Sequence, residues 1–353
     1  MTPVSATTTC GNTALEFLVV DEYLRTLVAA RALKTAFELG VIDYLFEHGT
    51  SSTAALGVAL ALDGHGLALL LDLLRVNGVV VVRAGEVSLG ERFAVALRYR
   101  DLLEMKLDFA GAVINDFADL FTTLVKDPAR FAGKARLFEI FDYRRALEPS
   151  TENYQRTRGW MRLTSTLTRY EALACMGLHD FGVYRRMLDI GGNSGEFVLQ
   201  LCRRHPELRA TVLDLPLVCE IGMEHVLAEP EHQRIGFIKA DIRADPVPNG
   251  YDLIAFKSML HDWPQDQAAR IIAKAAEALL PGGTLLIFER GPMRVADAAP
   301  PFSLLPTLLF FRSYREPAAY IGQLEALGFQ DIVRKEIALD SPFFLVAARK
   351  PVA

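Results

Sequence analysis

The 353 residues are 51% hydrophobic and 23% charged, the balance of a globular protein with a large core and enough length for two domains. A net charge of −5 speaks against a nucleic-acid-binding surface. No apolar run reaches the ~18 residues of a membrane span.

Met1 to Gly11 is polar and threonine-rich, without the basic start and apolar stretch of a secretory signal. Cys10, Cys175, Cys202 and Cys219 show no metal-binding spacing. Reduced thiols, no bound metal and a cytoplasmic location are therefore expected. Glu16 to Glu38 carries Leu18, Val19, Tyr23, Leu24, Leu27, Val28, Leu33 and Phe37 at helical spacing and ends at Gly40. Thr50-Ser51-Ser52 caps a short helix through Val58, and Asp63 precedes a third, Leu67 to Val76. Val79 to Arg83 and Glu86 to Leu89, joined at Ala84-Gly85, read as a hairpin. Three helices and a hairpin make a winged-helix pattern. Its candidate recognition helix, Gly66 to Arg75, offers one arginine among leucines, whereas reading a major groove needs polar and cationic side chains. The leucine surplus suits a buried interface instead.

From about Arg98 to Gly177 the pattern is helical and aromatic, broken at Asp127-Pro128 and Glu148-Pro149-Ser150. Then Met187-Leu188-Asp189-Ile190-Gly191-Gly192-Asn193-Ser194-Gly195-Glu196 reads as strand, glycine turn and helix start, the order that forms a nucleotide cradle. A second strand ends at Asp214, where an acid can hold a ribose diol. A third, Gly236-Phe237-Ile238, leads to Asp241, and a fourth spans Tyr251 to Phe256. Acids at three strand ends suit a nucleoside that carries a cationic amino group and no phosphate. After the fourth strand come Lys257 and His261, and Asp262-Trp263-Pro264-Gln265 reads as a helix start with Asp262 as N-cap.

With the glycine stretch, Phe256-Lys257-Ser258-Met259-Leu260-His261-Asp262-Trp263 and Pro281-Gly282-Gly283 to Glu289 on view, the chain resembles the S-adenosylmethionine-dependent small-molecule O-methyltransferases of the plant caffeate type and of bacterial secondary metabolism, antibiotic biosynthesis included. The resemblance runs from about Leu18 to the C-terminus. It implies an α/β protein: a Rossmann-like class I methyltransferase domain with a mostly helical N-terminal winged-helix dimerisation domain. The implied boundaries are 1–100 for dimerisation, 101–178 for linking and substrate-roofing helices, and 179–353 for the catalytic domain. The expected partners are a small-molecule acceptor and a second copy of the chain, with neither nucleic acid nor membrane.

Residue by residue, the resemblance assigns S-adenosylmethionine to Ser165, Asp189, Gly191, Gly192, Asp214, Leu215, Asp241, Ile242 and Lys257. It assigns the general base to His261, with Glu289 orienting the imidazole. Trp160, Met161 and Thr164 fall on the helix that roofs the site in the family. The donor-poor run Pro300 to Phe311 is expected to complete an acceptor pocket through Phe302, Phe310 and Phe311, together with Met293. A pocket so lined fits a large apolar phenol, a polyketide or polycyclic aromatic. Two departures stand out: Asn193 replaces the motif's middle glycine, and Tyr314 stands where the family commonly has a second glutamate, with Glu316 nearby. Methylation at carbon or nitrogen, a hydroxylase or decarboxylase that retains the cofactor without methyl transfer, and a non-enzymatic regulator remain the alternatives.

Overall fold

In the computed structural model of the chain, residues 15–293, 295 and 299–352 are described; Cys10 and the polar N-terminal stretch lie outside them. The chain divides into two compact units, one of Glu16–Ala135 with Val295–Leu309, the other including Arg136–Arg294 and Phe310–Ala353.

The first unit is helical. The continuous helix expected from Glu16 to Glu38 is broken: Glu16–Tyr23 is a 3-10 helix and Leu27–Glu38 an α-helix. The cause is local, because the Thr26 hydroxyl caps the second piece by accepting from Ala29 N at 3.1 Å. Beyond Gly40 (φ 75°) lies a helix the sequence did not announce, Val41–His48. Ser52 and Asp63 cap Thr53–Ala59 and Gly64–Val76 as expected. β1 (Ser51–Ser52), β2 (Val80–Arg83) and β3 (Glu86–Leu89) form a small sheet in the order β1-β3-β2. The β2–β3 turn uses Ala84 and Gly85 at positive φ, the geometry that matches strand twist in tight hairpins. The Phe302–Leu304 and Leu305–Leu309 turns of the apolar C-terminal run also belong to this unit. Ser303 donates to Asp21 at 2.6 Å there.

The second unit is a seven-stranded sheet flanked by helices. Its strands are β4 (Arg186–Ile190), β5 (Arg209–Asp214), β6 (Ile235–Lys239), β7 (Tyr251–Lys257), β8 (Leu279–Arg290), β9 (Gln330–Ala338) and β10 (Pro342–Arg349). They lie in the order β6-β5-β4-β7-β8-β10-β9. β4 to β8 run parallel, and β10 is antiparallel to both its neighbours. This is the Rossmann-like architecture expected.

Alternation along each strand feeds two cores, since parallel strands are covered on both faces. Met187, Val212, Leu253, Ala255 and Phe288 pack with Phe197 and Leu201 of the Glu196–Arg204 helix and with Cys175 of Thr151–Leu178. Leu188, Leu213, Ile254, Phe256 and Ile287 pack with Ile271 and Ala275 of Gln265–Ala278. Strand order reverses on either side of β4, so the carboxyl ends of β4, β5 and β7 open onto the crevice where such sheets bind ligands.

Among the described residues no single helix is long and apolar enough to cross a membrane; Thr53–Ala59 and Gly64–Val76 pass together by composition but meet at a bend of 118°. No group of three or more His, Cys, Asp or Glu residues suited to a metal ion is found among them either.

Candidate active site

The floor of the site is the turn after β4. Gly191 sits at φ 70° and Asn193 at φ 56°, so the asparagine in the motif's glycine position does adopt the left-handed backbone, as Asn does more readily than most residues. Its backbone N–H donates to Asp214 Oδ2 at 2.8 Å, and its side-chain amide donates to Thr164 Oγ1 at 2.9 Å. A Cβ at Gly191 would lie 2.3 Å from Met259 Cγ, and one at Gly192 would lie 2.6 Å from Asp189 Oδ2. Both positions therefore need glycine.

Asp189 ends β4 beneath this turn. It is buried, and neither carboxylate oxygen has a hydrogen-bond partner. Burial pushes its carboxyl up to about 8, against the pull of the Lys257 cation. Asp214, at the end of β5, accepts from Asn193 N and, at 2.7 Å, from Leu215 N. Burial raises it to about 6 in spite of those two bonds. An orphaned buried carboxylate, a second acid with lone pairs to spare and a backbone clear of side chains make a cradle for a cationic nucleoside.

The Thr151–Leu178 helix passes over this floor. The Ser165 hydroxyl donates to Ser194 Oγ at 2.6 Å, and the Thr164 hydroxyl donates back to Met161 O at 3.1 Å. Trp160 and Met161 are buried against Leu217, Val218 and Ile221. Lys257, at the end of β7, engages Thr168 Oγ1 at 2.8 Å and Glu171. Glu171 also binds Arg290, which follows Glu289 on β8. Although burial alone would raise it, the Arg290 and Lys257 cations hold the Glu171 carboxyl below its ordinary value. This buried triad ties the helix to the ends of both strands. Sequence reasoning missed Glu171; its one signal is an acid set between apolar Tyr170 and Ala172.

Asp241 follows β6 and is already engaged, its carboxylate bonded to the Arg243 guanidinium at 2.7–3.1 Å. That hydrogen bond lowers its pKa. Arg243 in turn lies over the Trp263 ring at 4.8 Å. Ile242 is buried, and its carbonyl accepts from Lys274 at 2.8 Å.

His261 stands in the 3-10 turn Leu260–Asp262 just past β7. The chain leaves the strand through Ser258 at φ 51°, a left-handed residue of the kind that collects at functional sites. Glu289, fully buried at the end of β8, accepts from Met259 N at 2.8 Å, Leu260 N at 2.7 Å and His261 Nδ1 at 2.7 Å. Burial opposes ionisation of Glu289, but His261 and these bonds hold it below the usual carboxylate value. An ionised carboxylate only accepts, so Nδ1 carries the proton and Nε2 of the neutral ring keeps its lone pair. Burial disfavours the charged imidazole, yet Glu289 and Asp262 raise the His261 pKa above 6.5.

Asp262 is not the N-cap expected. Pro264 occupies the cap position without a side-chain bond. Asp262 instead accepts from the Tyr143 hydroxyl at 3.0 Å and lies 3.5 Å from His261 Nε2. Having Pro264 as the cap residue leaves the acid two residues before the cap, where it faces the histidine. Tyr314 is buried with its ring 5.4 Å from the His261 ring. Arg315 donates to the carbonyls of Leu260, at 2.9 Å, and Trp263.

Around His261 runs an aromatic arc. Tyr143 meets Trp160 at 5.4 Å and Trp263 at 6.4 Å; Phe141 meets Trp160 at 6.0 Å and Phe310 at 5.8 Å. Phe138 comes from the short helix Arg136–Ile140, Tyr143 opens the 3-10 turn Tyr143–Leu147, and Phe141 lies between them. Phe310 joins this cluster, Phe311 is exposed and Met293 half-buried. Phe302 belongs to the helical unit.

Residues 125–305 match the family model of the O-methyltransferase domain. The chain is 42% identical over 125 residues to 3-hydroxy-5-methyl-1-naphthoate 3-O-methyltransferase of Streptomyces sahachiroi, covering 35% of each protein. It is 32% identical over 179 residues to the tetracenomycin polyketide synthesis 8-O-methyl transferase TcmO of Streptomyces glaucescens, covering 50% of this chain and 52% of that one. The matches thus span about a third to a half of these relatives. Human N-acetylserotonin methyltransferase, solved in complex with SAM, shares the fold with a TM-score of 0.71 at 21% identity, over 98% of this chain and 100% of that one.

The orphaned Asp189 carboxyl has a consequence for stability. Its folded pKa of about 8 lies above its unfolded value, so the acid keeps its proton in the fold and gives it up on unfolding. The stability this confers is full below the ordinary carboxylate range and is lost as pH rises toward 8. Asp189→Asn, neutral throughout, should be the more stable protein at pH 8 by on the order of 5 kcal/mol. Urea unfolding of the ligand-free proteins should show that margin shrink steadily from pH 8 to pH 5.

Proposed function

The chain belongs to the O-methyltransferase domain family, and on that premise we propose that it transfers the methyl group of S-adenosylmethionine to a phenolic hydroxyl of a large apolar acceptor, a polyketide or polycyclic aromatic, with His261 as general base. The observation that carries this reading is the His261–Glu289 pair, which leaves Nε2 as a lone-pair acceptor beside an aromatic arc. The names of the relatives, a naphthoate and a polyketide methyltransferase, support a fused aromatic acceptor.

Asp189, Asp214, Leu215 and the Gly191–Gly192 turn would hold the cofactor, with Ser165, Asp241, Ile242 and Lys257 around them. Asp189 would meet its positive charge and Asp214 its ribose hydroxyls. Once bound, the cofactor supplies an electron-poor methyl carbon on a sulfonium whose sulfur departs as a thioether. A phenol has a pKa of ~10 in water and is a poor nucleophile at neutral pH. Nε2 of His261 takes the hydroxyl proton as the oxygen attacks the methyl carbon. The buried Glu289 carboxylate balances the imidazolium that forms and keeps the ring from turning. Trp160, Met161, Thr164, Met293, Phe310 and Phe311 would shape the acceptor pocket and hold the acceptor oxygen toward the methyl group.

The helical unit is proposed to be a winged-helix module through which the chain forms a homodimer. Val28, Phe46, Val58, Leu69 and Val76 are each more than half exposed on it, a density of apolar surface that signals an interface.

His261→Ala should retain cofactor affinity and lose turnover by ~10²–10⁴-fold; a variant keeping a third of wild-type turnover, with chemistry rate-limiting, would remove the base. Because the His261 pKa is raised, the wild-type rate should fall toward low pH with its midpoint above 6.5. Calorimetry of Asp214→Ala should find S-adenosylmethionine bound roughly tenfold or more weakly, as for the loss of a charged hydrogen bond. Light scattering at micromolar concentration should give twice the chain mass; a monomer would contradict the dimer, whose interface should exceed ~2,000 Å².

A further inference from the structure

We propose that Tyr143 is a positioning residue for the base: its hydroxyl holds the Asp262 carboxylate away from Nε2 of His261 and so keeps that nitrogen open to the acceptor. The inference rests on the reading of His261 as base.

The imidazole lies between two carboxylates. On the Nδ1 side Glu289 makes a full hydrogen bond at 2.7 Å. On the Nε2 side Asp262 Oδ1 stops at 3.5 Å, beyond the range of a good N–H···O bond yet near enough to act on a charge. A histidine paired at both nitrogens would be locked as a doubly donating cation, and a cation cannot take a proton. The Nε2 contact must therefore stay open if the ring is to work as a base.

What holds it open is the bond on the far side of the same carboxylate. Asp262 Oδ2 accepts from Tyr143 at 3.0 Å. Tyr143 cannot readily follow a moving acid, because its ring is wedged against Phe141, Trp160 and Trp263. Its backbone begins the Tyr143–Leu147 turn, capped by the Asp142 side chain accepting from Arg144 N at 3.3 Å. Burial, with Asp262 beside it, keeps the phenol protonated well past its ordinary range, so it remains a donor wherever the protein is folded. The other groups facing the histidine cannot do this work. Glu289 is committed to Nδ1 and two backbone N–H groups. Arg290 is bound to Glu171, and Arg315 to the carbonyls of Leu260 and Trp263. Tyr314 presents its ring, with Arg290 and Asp340 among the charges that act on it.

Without the phenol, Asp262 is free to swing onto Nε2 and stabilise the imidazolium. Tyr143→Phe keeps the aromatic packing and deletes only the donor. In ligand-free protein with isotope-labelled histidine, NMR titration of His261 should give a pKa about 0.5–1 unit higher in Tyr143→Phe than in wild type, the size of one strengthened contact with an opposite charge. Asp262→Asn should lower the pKa, and the double variant should follow Asp262→Asn. A Tyr143→Phe pKa unchanged or lowered overturns the proposal, as does an upward shift that survives in the double variant. The acid limb of kcat/KM should move with the NMR value. If the NMR value moves and the limb does not, the Tyr143–Asp262 arrangement is supported and the assignment of His261 as base is the reading that fails.

Discussion

A carboxylate with no exposure to water holds this site together. Glu289 is buried at the end of β8, where an unpaired charge would be costly. It avoids that cost by accepting two backbone N–H groups from the loop after β7 and the ring N–H of His261. The same bonds set the loop's path, the imidazole's orientation and its tautomer. Ser258 takes a left-handed backbone to bring those N–H groups round, and Arg315 holds the loop's carbonyls from the opposite side. The histidine is thus fixed by its neighbours' backbone as much as by its own side chain.

Two acids on strands of one sheet, β4 and β8 with β7 between them, show how environment separates similar groups. Glu289 is ionised because three donors converge on it, whereas Asp189, equally buried, has none and holds its proton. The first is satisfied and rigid. The second is satisfied by nothing in the chain, which fits a group waiting for a cationic ligand. Between them Lys257, Glu171 and Arg290 form a buried ion triad joining the roofing helix to β7 and β8. A triad of this kind contributes less to net stability than to holding one arrangement of helix and strands.

The strands and turns of the α/β unit were legible because their signals are local. Apolar runs of strand length ending in Asp189 and Asp214 and a glycine turn each act within a few residues of themselves, as do the caps Ser52 and Asp63 in the helical unit. One misreading was local and one was not. Thr26 interrupts the first helical pattern because a hydroxyl captured an N–H that periodicity would have given to the helix. Asp262 followed by proline looks like a cap, yet a tyrosine more than a hundred residues earlier took the carboxylate.

The sequence by itself determined the sheet, the glycine cradle, the acids at the strand ends and the position of His261 after β7. Each depends on spacing and on the backbone freedom of particular residues. Only the tertiary structure decided what those groups face. It left Asp189 without a partner, gave Asp241 to Arg243, set Lys257 on Glu171, and divided the apolar run so that Phe302 and Phe310 belong to different units. The physical reason is that hydrogen bonds and charges are settled by proximity in space, and partners such as Tyr143 with Asp262 and Glu171 with Arg290 lie 119 positions apart along the chain.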